Sequence, residues 1–342
     1  MVVRNVVAAG AAAFAFAFSV MDANPSLYIH DKIFVNDKRM RSFYNGKTMW
    51  ILGASSGVGE EMARQLSSHG ANLILSARSV DKLNSVAESC KKISKGETSV
   101  RVLPFDISAP YDELESVVDT AREMLGNGTL DILVLNAGIG QLEPASTTSH
   151  LVTQQLFNTN TLAPIAMTHI LLNRGLLGEN ASNHLVVTSS VGGKLGLPLS
   201  ASYAASKHAL HGYYDSLQAE CPWLRVDMVC PGPVDTSFHK QQTTNENTAS
   251  SADDGSSQRS ELKMPVSRCS ALILSGITMR RGGERWVAEQ PTLLGLYLKQ
   301  HIPGLFDSIL RKVGPLRLKA WKEGKNLYDP ETWKNLGRRK RD

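Results

Sequence analysis

Only four of the 342 residues are cysteine (Cys90, Cys221, Cys230 and Cys269), with no C-x-x-C pair and no His/Cys cluster at metal-ligand spacing. A disulfide framework or a zinc site is not expected, and the four read as buried thiols. Net charge is also small, +5 over the whole chain, which by itself is no footprint of a nucleic-acid binder. Long apolar runs are absent but for one, and no internal repeat is evident. What is present, 42% hydrophobic and 20% charged residues, suits a globular chain of one large or two small α/β domains.

The single long apolar run lies at the start. No charge falls between Asn5 and Met21; Arg4 precedes the run and Asp22 closes it. It falls short of the roughly 20 residues that span a bilayer comfortably, so a signal anchor and a cleaved signal peptide over residues 1–21 both remain open. Residues 22–46 read as a polar connector. From residue 47 onward, short apolar runs alternate with helical stretches. Strands are expected at Thr48–Leu52, Asn72–Ser76, Val100–Phe105, Leu130–Asn136, His184–Ser189, Arg225–Cys230 and Arg285–Ala288. Strands of about 5 residues alternating with helices of 10 or more imply βαβ units. The expected fold is therefore a single α/β domain over residues 47–290, a doubly wound parallel sheet in three layers. Lys240–Lys263 carries almost no large apolar residue and reads as a flexible loop.

The last segment, residues 291–342, joins an apolar helical stretch to a basic tail, with twelve Lys or Arg against five Asp or Glu. That pairing suits a membrane surface, or a helix packed on the sheet with a solvated tail. Aromatics in the tail are confined to Trp321 and Trp333 beyond Tyr328, too few for a stacking platform, so no nucleic-acid partner is expected.

Chemistry concentrates at three places. The first strand runs into Gly53-Ala54-Ser55-Ser56-Gly57-Val58-Gly59 and then a helix. Glycines in that context let a backbone approach a diphosphate held at the helix N-terminus. At the end of the second strand stands Ser76-Ala77-Arg78, with no acid to take a free ribose. Arg78 and Ser76 can bind a 2′-phosphate, which favours NADP(H); Asp81, a little further on, keeps the NAD(H) alternative open. Third, Tyr203 and Lys207 lie four apart and share a helix face, with Ser190 leaving the fifth strand. A tyrosine serves as acid/base near neutral pH when a neighbouring cation favours its phenolate.

These motifs together resemble the short-chain dehydrogenase/reductase family, a Rossmann-type fold, across roughly residues 47–290. The resemblance implies a catalytic tetrad of Asn160, Ser190, Tyr203 and Lys207, with Asn158 as a competing candidate for the asparagine and Ser190 also touching substrate. It further implies cofactor contacts from Asp106, from Asn136-Ala137-Gly138, and from Pro231, Gly232, Val234 and Thr236. Leu52 and Leu135 depart from the family's threonine and asparagine at scaffold positions. Further segments, Ser200 with Pro198-Leu199, Ala205 to Leu210, and Glu289-Gln290-Pro291, are similar to the member-seven branch of that family. That branch implies an N-terminal membrane segment in the endoplasmic reticulum, a lipophilic carbonyl or alcohol substrate such as a steroid or retinoid, and a homodimer or homotetramer. The competing function is a cofactor-binding membrane scaffold without activity.

Overall fold

The computed structural model describes residues 16, 18–178, 183–240, 263–329 and 332. Seven strands form one fully parallel sheet: β1 (Thr48–Leu52), β2 (Asn72–Ser76), β3 (Val100–Val102), β4 (Ile132–Leu135), β5 (His184–Thr188), β6 (Arg225–Pro231) and the later Gly283–Val287. The order is β3-β2-β1-β4-β5-β6, with Gly283–Val287 at the far edge. Each expected strand is present; the third ends at Val102 rather than Phe105. β1, β2 and β4 to β6 are nearly continuous apolar runs because helices cover both faces of the sheet.

Alternate residues feed two cores. Met49 and Ile51 of β1 point to one face, where the helices α3 (Gly57–Ser68), α4 (Val80–Ile93) and Val266–Ile277 pack. Trp50 and Leu52 point to the other, against α5 (Tyr111–Leu125), α7 (Ala163–Asn173) and α8 (Ala201–Glu220), with α6 (His150–Phe157) between α5 and α7 in the chain. Strand order reverses between β1 and β4, which opens a crevice at their C-terminal ends. A small parallel pair, β7 (Val234–Asp235) with β8 (Met264–Pro265), follows β6. After β8 come α9 (Val266–Ile277), β9 (Gly283–Val287), α10 (Thr292–His301) and α11 (Pro303–Lys322).

The segment 22–46 is not a connector. It folds as α1 (Pro25–Ile29), a π-turn His30–Phe34, and α2 (Asp37–Tyr44). Ala23, Leu27 and Tyr44 are wholly buried. The Tyr44 hydroxyl donates to the Leu274 carbonyl at 2.7 Å, and Arg268 of α9 bridges Asp22 and Asp31. Buried residues spaced among charges hid this docking surface.

The C-terminal helices pack on the domain along one side. Leu293, Leu296, Phe306 and Ala320 are buried, while Leu294, Ile302, Leu305 and Ile309 stay exposed. The presumed leader falls almost wholly outside the described residues, as does the loop expected over Lys240–Lys263. Among the described residues no helix is long and apolar enough to cross a membrane.

Candidate active site

A cavity of about 1190 Å³ opens over the C-terminal ends of β1, β4, β5 and β6. One end is the glycine turn. Gly53 has φ +86, and a Cβ there would lie 2.7 Å from the backbone of Ala137. A Cβ on Gly59 would lie 2.1 Å from the Gly53 carbonyl oxygen and 2.8 Å from Nδ2 of Asn136. Asn136 donates from that Nδ2 to the same carbonyl at 3.1 Å, so the turn and the end of β4 are locked together. Only glycine fits, and the turn delivers Ser55, Ser56, Gly57 and Val58 to the cavity wall. Helix α3 starts at Gly57, and Ser56 makes no side-chain cap to it. The first N–H groups of α3 face a cradle that fits a diphosphate.

Further along the wall, Arg78, Ser79 and Lys82 line the cavity beyond β2, and Asp81 does not. Ser76 lines the cavity as well. It is 1% exposed, and its hydroxyl accepts a hydrogen bond from the Trp50 indole at 2.9 Å. Accepting from Trp50 leaves the Ser76 O–H as a donor, and Ser79 and Lys82 are further polar neighbours of Arg78 that the sequence did not single out. Asp106 lines the cavity and accepts from the Ser108 amide at 2.9 Å. Ala137 and Gly138, and on the opposite wall Pro231, Gly232, Val234 and Thr236, complete the dinucleotide-shaped part.

The reacting groups stand in the middle. Ser190 leaves β5, and its hydroxyl bonds to Tyr203 while accepting from the Gly192 amide at 3.0 Å. Lys207, one turn beyond Tyr203 on α8, donates to the Thr188 carbonyl at 2.8 Å. Asn160 sits in a π-turn, Asn158–Leu162. Its Oδ1 accepts from the Ile139 amide at 2.8 Å, and its Nδ2 donates to the Ile139 carbonyl at 2.9 Å and to Ser206 at 3.1 Å. Asn158 lines the cavity but does not make these bonds. Geometry therefore selects Asn160 over Asn158, as the brace between the loop after β4 and α8. The start of α8 is held by Gln141, which accepts from the Tyr203 amide at 3.1 Å through its side chain.

The chain matches the family model for short chain dehydrogenase over residues 47–247. It is 35% identical over 281 residues to human "Dehydrogenase/reductase SDR family member 7", covering 81% of this chain and 80% of that one. It is also 30% identical to "Dehydrogenase/reductase SDR family member 7B" of Xenopus laevis, covering 82% and 86%. This protein belongs to the short-chain dehydrogenase family. Two solved structures share the fold. One is an alcohol dehydrogenase of the archaeon Thermococcus sibiricus complexed with 5-hydroxy-NADP, with TM-score 0.62, 22% identity and 72% and 97% of the two chains covered. The other is a short-chain dehydrogenase/reductase of Burkholderia phymatum with NAD, with TM-score 0.61, 22% identity and 84% and 98% covered.

The electrostatics of this short-chain dehydrogenase differ from the simple expectation. Burial pushes the Tyr203 phenol up to about 12, opposed by the Ser190 hydrogen bond. Burial also pushes the Lys207 ammonium down to about 8. Lys207 is turned toward Thr188, so in this geometry it does not depress the phenol as expected from the Tyr203–Lys207 spacing. Tyr203 is thus held as a protonated donor.

A second polar layer lies directly behind, and the sequence offered no signal for it. Ser189 Oγ is 3.0 Å from Nε2 of His211 and 3.3 Å from the Lys207 carbonyl. Nδ1 of His211 faces Glu284 at 3.3 Å, and Lys194 donates to Glu284 at 2.9 Å. Burial pushes the Glu284 carboxyl up, but hydrogen bonds from His211, Trp286 and Lys194 prevail and hold it at about 2. A Cβ on Gly193 would fall 2.5 Å from Ser189 Oγ and 2.9 Å from His211, so the turn after Ser190 is packed tightly onto this layer. Tyr203, Lys207 and His211 follow one another at successive turns of one face of α8.

Proposed function

We propose that this short-chain oxidoreductase interconverts a lipophilic carbonyl compound and its alcohol with NADP(H). The observation that carries this reading is the Tyr203–Ser190 hydroxyl pair, with Lys207 one helical turn away, opening on a cavity whose substrate end is apolar. Leu151, Leu195, Leu197, Phe238 and Phe306 line the cavity, with the Phe238 ring 6.3 Å from that of Tyr203. A bound nicotinamide supplies or accepts the hydride. The chain's own residues manage the oxygen. Ser190 orients it by hydrogen bond, and Tyr203 donates the proton that neutralises charge developing there. Asn160 braces the loop after β4 against α8, and Lys207, whose Nζ would lie 3.5 Å from a Cβ on Gly138, would hold the nicotinamide ribose.

The NADP(H) choice rests on Arg78 and Lys82 lining the cavity beyond β2 while Asp81 does not line it. Changing Arg78→Asp should weaken NADPH binding by about tenfold or more, since a charge-assisted pair is lost, and leave NADH binding equal or improved. Fluorescence titration with each nucleotide measures it; equal wild-type affinities for both would sink the NADP(H) reading.

The proposed location is a membrane of the endoplasmic-reticulum type, with residues 5–21 as the anchor. Support comes from where that segment meets the fold. Phe18 stacks edge-on to Tyr297 of α10 at 5.4 Å, and its carbonyl accepts from Gln290 at 2.9 Å. The exposed Leu294, Ile302, Leu305 and Ile309 belong to the same helical pair, whose Phe306 and Gly295 line the cavity. An apolar rim beside the anchor would let a lipophilic substrate pass from bilayer to site.

A further inference from the structure

The substrate end of the cavity is not wholly apolar: Arg317 of α11 reaches it. Its place is well anchored. Gly314, Arg317 and Ala320 are spaced by three and share a face of α11. A Cβ on Gly314 would rest 3.6 Å from Pro198, and Ala320, wholly buried, packs with Leu327 on Leu199. Pro198 and Leu199 lead straight into the helix that carries Tyr203. Arg317 is therefore held beside the start of α8, and not on a free helix face.

Among the described residues its charge is unmatched. The guanidinium lies 5.8 Å from the ring centroid of Tyr328, and the Lys263 ammonium lies 4.8 Å from the same centroid. Two cations thus converge on one aromatic ring, and among the described residues neither has a carboxylate partner. A ring face attracts cations but accepts no strong hydrogen bond. Nε of Arg317 is buried with no acceptor, a costly state that a ligand oxygen would relieve. Tyr328 lines the same cavity as Tyr203 and is near enough for their charges to interact.

We propose that Arg317, Lys263 and Tyr328 form an anion subsite, and that the preferred substrate is an amphipathic carbonyl compound bearing a carboxylate away from the reacting carbon. This rests on, and narrows, the lipophilic-carbonyl reading above. The planar guanidinium fork suits a carboxylate, which can accept two parallel hydrogen bonds. The cofactor's own phosphates do not compete for it, since the glycine turn and Arg78 serve the other end of the cavity. The same cavity is lined by Phe238, 6.3 Å from the Tyr203 ring, and by Leu197, Gly295 and Phe306, which suit the apolar body of such a molecule.

The test uses the full-length protein in detergent with a long-chain oxo-acid and its methyl ester, which share length and carbonyl but differ in charge. Calorimetric binding and NADPH-dependent reduction are measured for both. The acid should bind about tenfold or more tighter than the ester. Arg317→Met should collapse that ratio, Arg317→Lys should restore part of it, and Lys263→Met should reduce it less. Equal binding of acid and ester by the wild type, or a ratio that survives Arg317→Met, overturns the subsite. Preferential binding of the acid without reduction of either compound would support the subsite and overturn the carbonyl reading. Reduction of both compounds at equal affinity would do the reverse.

Discussion

Tyr203→Phe removes one hydroxyl and leaves the ring that faces Phe238 at 6.3 Å. Folding and nucleotide binding should survive, while turnover falls by about 10²-fold or more because Ser190 can orient the substrate oxygen but does not supply its proton. Lys207→Ala should damage both turnover and nucleotide affinity, and Ser190→Ala turnover alone. Nucleotide fluorescence beside steady-state rates for each variant measures this; near-normal turnover in Tyr203→Phe would contradict the assignment. Lys207 also carries a stability signature. Its ammonium is pushed from 10.5 down to about 8 by burial, so between these values the unfolded chain binds the extra proton. The stability that Lys207 contributes is therefore present above about pH 10.5, declines as pH falls, and is gone below about 8, changing by at most about 1.4 kcal/mol per pH unit. Lys207→Met should be most favoured relative to wild type at neutral pH, with the difference shrinking from pH 8 to pH 10. Thermal melts of both proteins across that range test it, and a pH-independent difference would refute it.

At the scale of elements, the sheet was legible because each buried parallel strand is a short apolar run bounded by turns. Thr48–Leu52, Asn72–Ser76 and His184–Thr188 fall where the pattern placed them. The glycine turn and the Tyr203–Lys207 pair were legible for a related reason: strand, turn and helix are local, so spacing encodes geometry. What escaped was made by distant contact. Nothing near Gln141 or His211 announces these contacts, since their partners Tyr203, Ser189 and Glu284 are distant in the chain. The Trp50–Ser76 hydrogen bond escaped because Trp50 lies on the adjacent strand. The segment 22–46 escaped because its partner surface, α9, lies some 230 residues away. That docking makes its own prediction. Tyr44→Phe leaves the Leu274 carbonyl without its buried donor and should cost about 1–2 kcal/mol in urea unfolding. Nucleotide affinity should not change, because Tyr44 is on the other side of the sheet domain from the cavity wall. A stability unchanged within error would show that the segment only lies on the surface.

On the scale of the whole molecule, the anchor proposal decides on which side of a membrane the cavity faces. Lys32, Lys38, Arg39 and Arg41 follow the apolar run, against Arg4 and the terminal amine before it. Basic flanks favour the cytosolic side, so under the anchor proposal the charge balance leans the catalytic domain toward the cytosol. The balance is slight, because Arg41 pairs with Asp37 at 3.3 Å on α2. The fold supplies an independent reporter. Asn127-Gly128-Thr129 is an acceptor sequon in the turn after α5, and Asn127 is exposed. A luminal domain would present that asparagine to the glycosylation machinery without unfolding, so silence there is informative. The expected outcome in cells is a protein that resists alkaline carbonate extraction and shows no mobility shift on glycosidase treatment. Moving the sequon is unnecessary, but Asn127→Gln gives the control, which should migrate identically to wild type. A glycan on Asn127 would put the cavity in the lumen and reverse the orientation. Release by carbonate would remove the anchor, and with it the argument that the apolar rim of α10 and α11 receives substrate from the bilayer.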